Sequence, residues 1–237
     1  MKINIKDLIE YFDIKKNTDY GDTTATISVV GEDLCASIFK HYCETERGSK
    51  VIIVDSNQHI PVQMKKIGRR LDRWIMEIRG TSNIFYQTEI KNWCSRAIGG
   101  VNVPLDVDGK TLDDLAEHNW LHHLPDFQSN EGNGINKVLV EMLNDKRVVN
   151  DKKLELPDSY RKEPLLILWN VAKPKEEKEF FFKFNLPKKY FDYDYCWVFS
   201  CSLYLRHLNK EEGTSEIQID MPNVARRLTQ LNRIFKA

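Results

Sequence analysis

The sequence predicts an α/β (α+β) fold, in which a β-sheet is flanked by helices, and three observations carry this prediction. An apolar stripe with helical spacing runs through residues 31–46. Two apolar-patterned runs, LDRWIMEI at 71–78 and IFYQTEIKNW at 84–93, are separated by a short segment typical of a hairpin turn. A nearly continuous apolar run, PLLILWNVA at 164–172, is typical of a strand buried on both faces.

Composition indicates one globular domain spanning residues 1–237. Hydrophobic residues make up 41% of the chain and charged residues 30%, which is an ordinary globular balance. The formal net charge is zero, so a nucleic-acid partner would have to be met by a local basic patch. Five cysteines without CxxC spacing, no signal-peptide pattern and no apolar run near the ~20 residues of a membrane span predict a reduced, cytoplasmic protein with no membrane partner.

The first half of the chain begins with five short segments. In order, we expect a short helix or strand–helix lead-in at 1–13, a turn-rich segment at 15–24, a β-branched run at 25–30, a helix at 31–46 and a strand at 51–54. Glu32 and Asp33 would then lie in the first turn of the helix, where the helix dipole favours acids. That dipole effect alone would explain Glu32 without any functional site.

The paired runs form the centre of the prediction. Glu89 and Lys91 are separated by one residue of a strand, so their side chains share a face. If the loop is Gly80–Asn83, Arg79 faces Ile84 and Asp72 faces Lys91. Asp72, Glu89 and Lys91 would then converge on one face of the hairpin, whereas a loop of odd length would move Asp72 to the other face.

A basic run precedes Asp72, and the elements of the second half follow the hairpin. The cluster Lys65, Lys66, Arg69 and Arg70 is by default a solvated face, but its position makes it a candidate for weak nucleic-acid contact. In the second half we expect helices at 112–120 and 136–143, a strand at 164–172, a loop with an edge strand or short helix at 173–189, strands at 195–205 and 217–220, and an amphipathic helix at 224–235.

Two carboxylates and a lysine on one strand face suit metal-assisted phosphodiester hydrolysis. Mg²⁺ prefers oxygen ligands and retains several waters, so Asp72 and Glu89 would suffice, with the backbone carbonyl of Ile90 as a third ligand. The metal would acidify a bound water and shield developing charge. Lys91, held charged by the two acids, would orient that water and stabilise the transition state. The alternative is a surface ion pair between Glu89 and Lys91, which is common on strand edges.

In this order, the residues resemble the PD-(D/E)xK, or restriction-endonuclease-like, nuclease superfamily. The resemblance covers about residues 31–172 and rests on Glu32 in a first helix, Asp72 on the second strand and Glu89-Ile90-Lys91 on the third. Leu71 stands where the family motif has proline. The resemblance implies an αβββαβ core with a central mixed sheet, to which segment 173–237 is added as strands and a helix packed on it.

The same resemblance implies the activity. It predicts a Mg²⁺-dependent (or Mn²⁺-dependent) nuclease that acts on DNA, in restriction, repair or defence. A homodimer would explain cutting of both strands. Asp72 and Glu89 would be metal ligands, Lys91 catalytic, and Glu32 a further catalytic residue that contacts the metal through a water. Two alternatives stay open. One is a non-catalytic nucleic-acid-binding or assembly module on the same scaffold. The other is an unrelated metal hydrolase that uses His118 and His122, which have the i, i+4 spacing of a zinc site.

Overall fold

A six-stranded mixed β-sheet forms the centre of the fold in the computed structural model of the chain. The structure describes residues 1–12, 20–55, 73–94, 160–170, 180–185 and 193–234, with the backbone alone at 20–29, 54–55, 91–94, 170 and 184–185. The described elements are β1 (Lys2–Asn4), α1 (Ile5–Phe12), α2 (Tyr20–Thr45), β2 (Lys50–Asp55), β3 (Arg73–Ile78), β4 (Asn83–Cys94), β5 (Tyr160–Asn170), β6 (Phe181–Asn185), β7 (Tyr195–Ser200), α3 (Cys201–Glu211), β8 (Glu216–Gln218) and α4 (Pro222–Ile234).

Strand order across the sheet is β2-β3-β4-β5-β7-β6. The β2–β3, β3–β4 and β6–β7 pairs are antiparallel, whereas β4–β5 and β5–β7 are parallel. Four consecutive residues of β5, Leu165–Leu168, are fully buried, as expected of a central strand covered on both faces. The predicted mixed α/β class is therefore confirmed, and so is the predicted strand at the apolar run 164–172.

The β3–β4 hairpin forms as predicted, but its register differs by two residues. Ile84 pairs with Glu77, not with Arg79, and Arg73 pairs with Thr88. The turn begins one residue earlier than predicted, because Arg79 N–H donates to Asn83 Oδ1 at 3.1 Å and Gly80 takes the left-handed φ of 56°. A shift of two residues leaves every side chain on its predicted face.

The sheet has two distinct faces. The helix face, defined by Ile75, Tyr86 and Phe199, packs against α2, whose Phe39 ring lies 5.7 Å from the Tyr86 ring and 5.1 Å from the Phe199 ring. The far face carries the alternate residues, among them Trp74, Phe85, Gln87 and Glu89. The Trp74 and Phe85 rings stack at 5.0 Å on that face. Residues one position apart on β4 therefore belong to different environments.

Two elements differ from the sequence prediction. Helix α2 begins at Tyr20, so it includes the segments 15–24 and 25–30 from residue 20 onward, which were predicted as a turn-rich segment and a β-branched run. Polar, glycine and β-branched residues have weak helix propensity, so the local sequence does not predict this part of the helix. The predicted strand 195–205 ends at Ser200 and continues as α3 from Cys201. Both parts of that run are buried, and an unbroken apolar run does not distinguish a buried strand from a buried helix.

The two ends of the chain meet on the helix face. Strand β1 pairs with β8, and the amino-terminal group donates to the Ile219 carbonyl at 2.8 Å. Ser37 Oγ of α2 donates to the Asp220 carbonyl at 2.6 Å. Val224 of α4 belongs to the same apolar core as α2. None of the described helices is long and apolar enough to cross a membrane.

Candidate functional site

Several predicted site residues lie outside the described residues. They are Asp72, Lys65, Lys66, Arg69 and Arg70, together with the histidines at 118 and 122 and the predicted helices 112–120 and 136–143. Lys91 lies on β4, where its Cα pairs with that of Leu168 on β5. The geometry available for the predicted site is therefore that of Glu89, Ile90 and Glu32, of β4, which holds Lys91, and of β3, which begins at Arg73.

Glu89 is a buried carboxylate in the middle of the sheet. It is 2% exposed and pairs with Leu166 of β5. On the same far face, two residues earlier, Gln87 donates through Nε2 to the Tyr193 hydroxyl at 2.7 Å. Because a carboxylate is costly to remove from water without compensation, an acid at this position indicates a polar or cationic environment. Glu89 is therefore not part of an exposed surface ion pair.

Ile90 faces the opposite way from Glu89. Its side chain is 3% exposed and belongs to the core of the helix face. Only its backbone carbonyl could therefore reach a ligand on the far face.

Glu32 lies in the interior of α2 and pairs with Arg73 of β3. Glu32 Oε2 accepts from Arg73 Nη1 at 3.0 Å, and the neighbouring Asp33 accepts from Arg73 Nη2. Asp33 also accepts from Asn223 of α4 at 3.4 Å. The prediction that Glu32 lies in the first turn of its helix is wrong, since the helix begins twelve residues earlier at Tyr20. The dipole explanation for Glu32 is therefore wrong too.

The Arg73 contacts place Glu32 on the helix face. Arg73 has the same parity on β3 as Ile75 and Glu77, which belong to that face. Glu89 belongs to the far face. The structure therefore brings Glu32 together with Arg73 and does not bring it onto the face that carries Glu89.

A buried acid that the sequence reading did not single out lies on the neighbouring strand. Glu77 is fully buried on the helix face of β3. It accepts from Ser49 Oγ at 2.7 Å, from Tyr86 OH at 2.9 Å and from Arg79 Nε at 2.8 Å, and it forms an ion pair with Arg47, whose Nε lies 3.1 Å from Oε1. Burial, reinforced by the Glu77 charge, raises the pKa of Tyr86, which therefore remains a hydrogen-bond donor. In the sequence, Glu77 is recognisable as an acid at a core-facing position of the alternating run RWIMEI.

A second such acid lies on β5. Glu163 is 2% exposed and accepts from Tyr195 OH at 3.0 Å, from Arg161 and from the Trp197 indole. Its sequence signal was an acid directly before the apolar run PLLILW. Both Glu77 and Glu163 are held as structural anions by side chains of the same face.

Within the described residues, no group of three or more His, Cys, Asp and Glu side chains is arranged to hold a metal ion. The donor set predicted from the sequence includes Asp72, which is not among those residues.

Comparison with known proteins adds no relative. No family model, no curated protein and no solved structure matches the chain. The resemblance to the PD-(D/E)xK superfamily therefore rests on the motif residues and their order alone.

Proposed function

We propose that the chain is a Mg²⁺-dependent nuclease that hydrolyses the phosphodiester bonds of DNA, in restriction, repair or defence. The observation that carries the proposal is that Glu89, which is 2% exposed in the middle of the sheet, stands two residues before Lys91 on the same strand. A buried carboxylate is stabilised by positive charge, and in the proposed site a divalent cation and Lys91 would contribute it.

The register of the hairpin supports the inclusion of Asp72. Arg73 pairs with Thr88, and these are the chain neighbours of Asp72 and Glu89. One further antiparallel pair would set Asp72 directly opposite Glu89, with Cβ atoms ~5 Å apart. This arrangement is closer than the one predicted from the sequence, in which Asp72 faced Lys91.

Strand alternation supports the inclusion of Lys91. It stands two residues after Glu89 on β4, and its Cα remains paired with β5. In a regular strand, residues two apart share a face. Lys91 and Glu89 would then both belong to the far face of the sheet.

The order of the described elements supports the resembled core. Helix α2 is followed by the antiparallel strands β2, β3 and β4, and then by β5, which lies parallel to β4. An αβββαβ core requires a helix between β4 and β5, and the helix predicted at 136–143 lies in that interval, outside the described residues. We propose this core, and not only the mixed α/β class, for the chain.

The donors of the proposed site fit a hard divalent cation. Asp72 and Glu89 supply carboxylate oxygens and Ile90 a carbonyl oxygen, which are the ligand types that Mg²⁺ prefers. When bound, the ion would acidify water and neutralise charge on the phosphate. Lys91 would remain protonated beside the two acids, and its ammonium would stabilise the charge that develops on the phosphoryl oxygens.

The contacts of Glu32 remove it from the proposed ligand set. The resemblance assigns Glu32 to the metal through a water, but its carboxylate is paired with Arg73 at 3.0 Å on the other side of the sheet. We therefore propose Asp72, Glu89 and Lys91, with the Ile90 carbonyl, as the site.

Cleavage assays with matched variants test this proposal. Linear DNA, plasmid DNA and an RNA of the same sequence are incubated with Mg²⁺ or Mn²⁺ and either wild-type protein, Glu89→Gln or Glu32→Gln. We expect degradation of DNA by the wild type and by Glu32→Gln, loss of activity in Glu89→Gln, and abolition by chelator.

Two results would oppose the proposal. Activity of Glu89→Gln equal to that of the wild type would show that the site is elsewhere. Binding of DNA without metal-dependent cleavage would favour a non-catalytic module on the same scaffold.

A further inference from the structure

An open groove lies at the end of the sheet where α2 finishes and the β3–β4 hairpin turns. It has a volume of about 590 Å³ and is lined by Arg47, Gly48, Ile78, Arg79 and Gly80. That volume is within the range of ligand-binding sites in proteins. Two arginines and two glycines in five lining residues suggest a specific ligand chemistry.

Glu77 fixes both arginines beside this groove. Its Oε1 atom accepts from Arg79 Nε at 2.8 Å and forms an ion pair with Arg47, whose Nε lies 3.1 Å away. The Arg47 guanidinium is also held from the side, with its central carbon 4.7 Å from the centroid of the Phe181 ring. Both guanidinium groups are therefore positioned before any ligand arrives, which reduces the entropy cost of binding.

The positive charge of the two arginines exceeds the negative charge of Glu77. A carboxylate offers about four lone-pair positions, and Ser49 and Tyr86 already donate to two of them. One carboxylate with two guanidinium groups leaves a surplus positive charge at the groove. The side chains of Arg47 and Arg79 are 14% and 33% exposed, so the surplus charge is accessible from solvent.

The glycines keep the groove open. Gly48 and Gly80 have left-handed φ values of 60° and 56°, which favour glycine over other residues. A Cβ atom built on either glycine would meet no atom within 4 Å, so the space in front of each is free. A tetrahedral anion could therefore approach the backbone on both sides of the arginines.

We infer that this groove binds a phosphate group between the guanidinium groups of Arg47 and Arg79. The planar guanidinium matches phosphate oxygens with two parallel hydrogen bonds, and its charge is weakly hydrated compared with that of lysine. The inference does not depend on the nuclease proposal, because it uses none of the residues of that site. The phosphate belongs either to a small phosphorylated molecule or to a nucleic-acid backbone.

Calorimetric titration with inorganic phosphate tests the site. We expect Arg79→Gln to weaken phosphate binding about tenfold or more, since a charge-assisted hydrogen-bond donor is lost. Arg206→Gln, which removes an exposed arginine of α3 outside the groove, should bind as the wild type does.

A second pair of variants leaves Glu77 and its partners intact. Thr81→Glu adds a negative charge at the exposed residue next to Gly80, and Thr81→Gln adds the same volume without the charge. We expect Thr81→Glu to weaken phosphate binding several-fold and Thr81→Gln to leave it unchanged. Absence of phosphate binding by the wild type, or equal binding by wild type, Arg79→Gln and Thr81→Glu, would overturn the inference.

A DNA arm distinguishes the two sources of phosphate. Binding of a duplex oligonucleotide is measured in chelator, so that no cleavage occurs. If Arg79→Gln weakens binding of both phosphate and DNA, the site contacts a nucleic-acid backbone. If it weakens binding of phosphate alone, the ligand is a small phosphorylated molecule.

Discussion

Glu77 and Glu89 are two buried acids of one hairpin that lie on opposite faces of the sheet. They are 0% and 2% exposed and lie on the adjacent strands β3 and β4. Glu77 belongs to the helix face, where Arg79, Ser49 and Tyr86 donate to it and Arg47 forms an ion pair with it. Glu89 belongs to the far face, on the strand that also carries Lys91.

The comparison teaches that burial alone does not identify a functional acid. Glu77 is compensated by positively charged side chains of its own face, and its charge therefore serves the fold. In the proposed site, by contrast, the charge of Glu89 binds a metal ion. Substitutions at the two positions should then separate stability from activity.

The largest effect is expected on stability at Glu77. Glu77→Gln leaves Arg47 and Arg79 without their shared anion, and removal of one partner of a buried ion pair costs about 3–5 kcal/mol. The free energy of unfolding, measured in urea, should fall by that amount. Glu216→Gln, which breaks an exposed pair with Lys2, is the control and should cost no more than about 1 kcal/mol. A cost below about 1 kcal/mol for Glu77→Gln would remove the contrast.

The next largest effect is expected on activity at Glu89. Glu89→Gln should reduce Mg²⁺-dependent DNA cleavage about 100-fold or more, in line with the loss of one electrostatic contribution to a transition state. Its loss of stability should be smaller than that of Glu77→Gln, because Glu77→Gln also leaves Arg47 and Arg79 without their shared anion. If Glu89→Gln unfolds the protein as strongly as Glu77→Gln, both acids are structural.

A smaller effect is expected where Arg73 joins α2 to β3. Asp33 is 7% exposed and Asp33→Asn should cost about 1–3 kcal/mol of unfolding free energy, because Arg73 loses its buried partner. The Glu32 side chain is 46% exposed, so Glu32→Gln should cost less than about 1 kcal/mol. Thermal unfolding of both variants measures the difference. A larger cost for Glu32→Gln would mean that Glu32, not Asp33, is the main partner of Arg73.

The smallest effect is a pH dependence at Lys162 of β5. Burial lowers the pKa of Lys162 to about 8, whereas the unfolded chain has the ordinary value of about 10.4. Between these values the unfolded state binds more protons at this residue, so its contribution to stability rises with pH. The unfolding free energy of the wild type relative to Lys162→Gln should therefore increase from about pH 8 to about pH 10. Buried thiols such as Cys196 affect both proteins equally, and a flat difference would contradict the shift.

Local patterns predicted the hairpin and strand β5, since period-two alternation and a continuous apolar run are sufficient signals for strands. They did not predict the start of α2, because residues 20–30 include polar, glycine and β-branched residues of weak helix propensity. They did not predict α3 either, because an unbroken apolar run such as Cys201–Leu205 fits a buried helix as well as a buried strand.

The site was predicted less completely than the fold. Motif spacing predicted that Glu89 and Lys91 share one strand, and both belong to β4, whereas Asp72 lies outside the described residues. The side of the sheet on which Glu32 lies depends on the Arg73 contacts, which join residues 41 positions apart and leave no local pattern. The two arginines that contact Glu77 likewise come from distant parts of the sequence, so the spacing of residues along the chain does not predict their groove.

Plasmid nicking by wild type and Lys91→Ala, purified in parallel and assayed with Mg²⁺ and with chelator, tests the central proposal most directly. We predict nicking by the wild type that requires the metal and is absent from Lys91→Ala. Equal nicking by the two proteins would identify a contaminating nuclease and contradict the proposed site on β4.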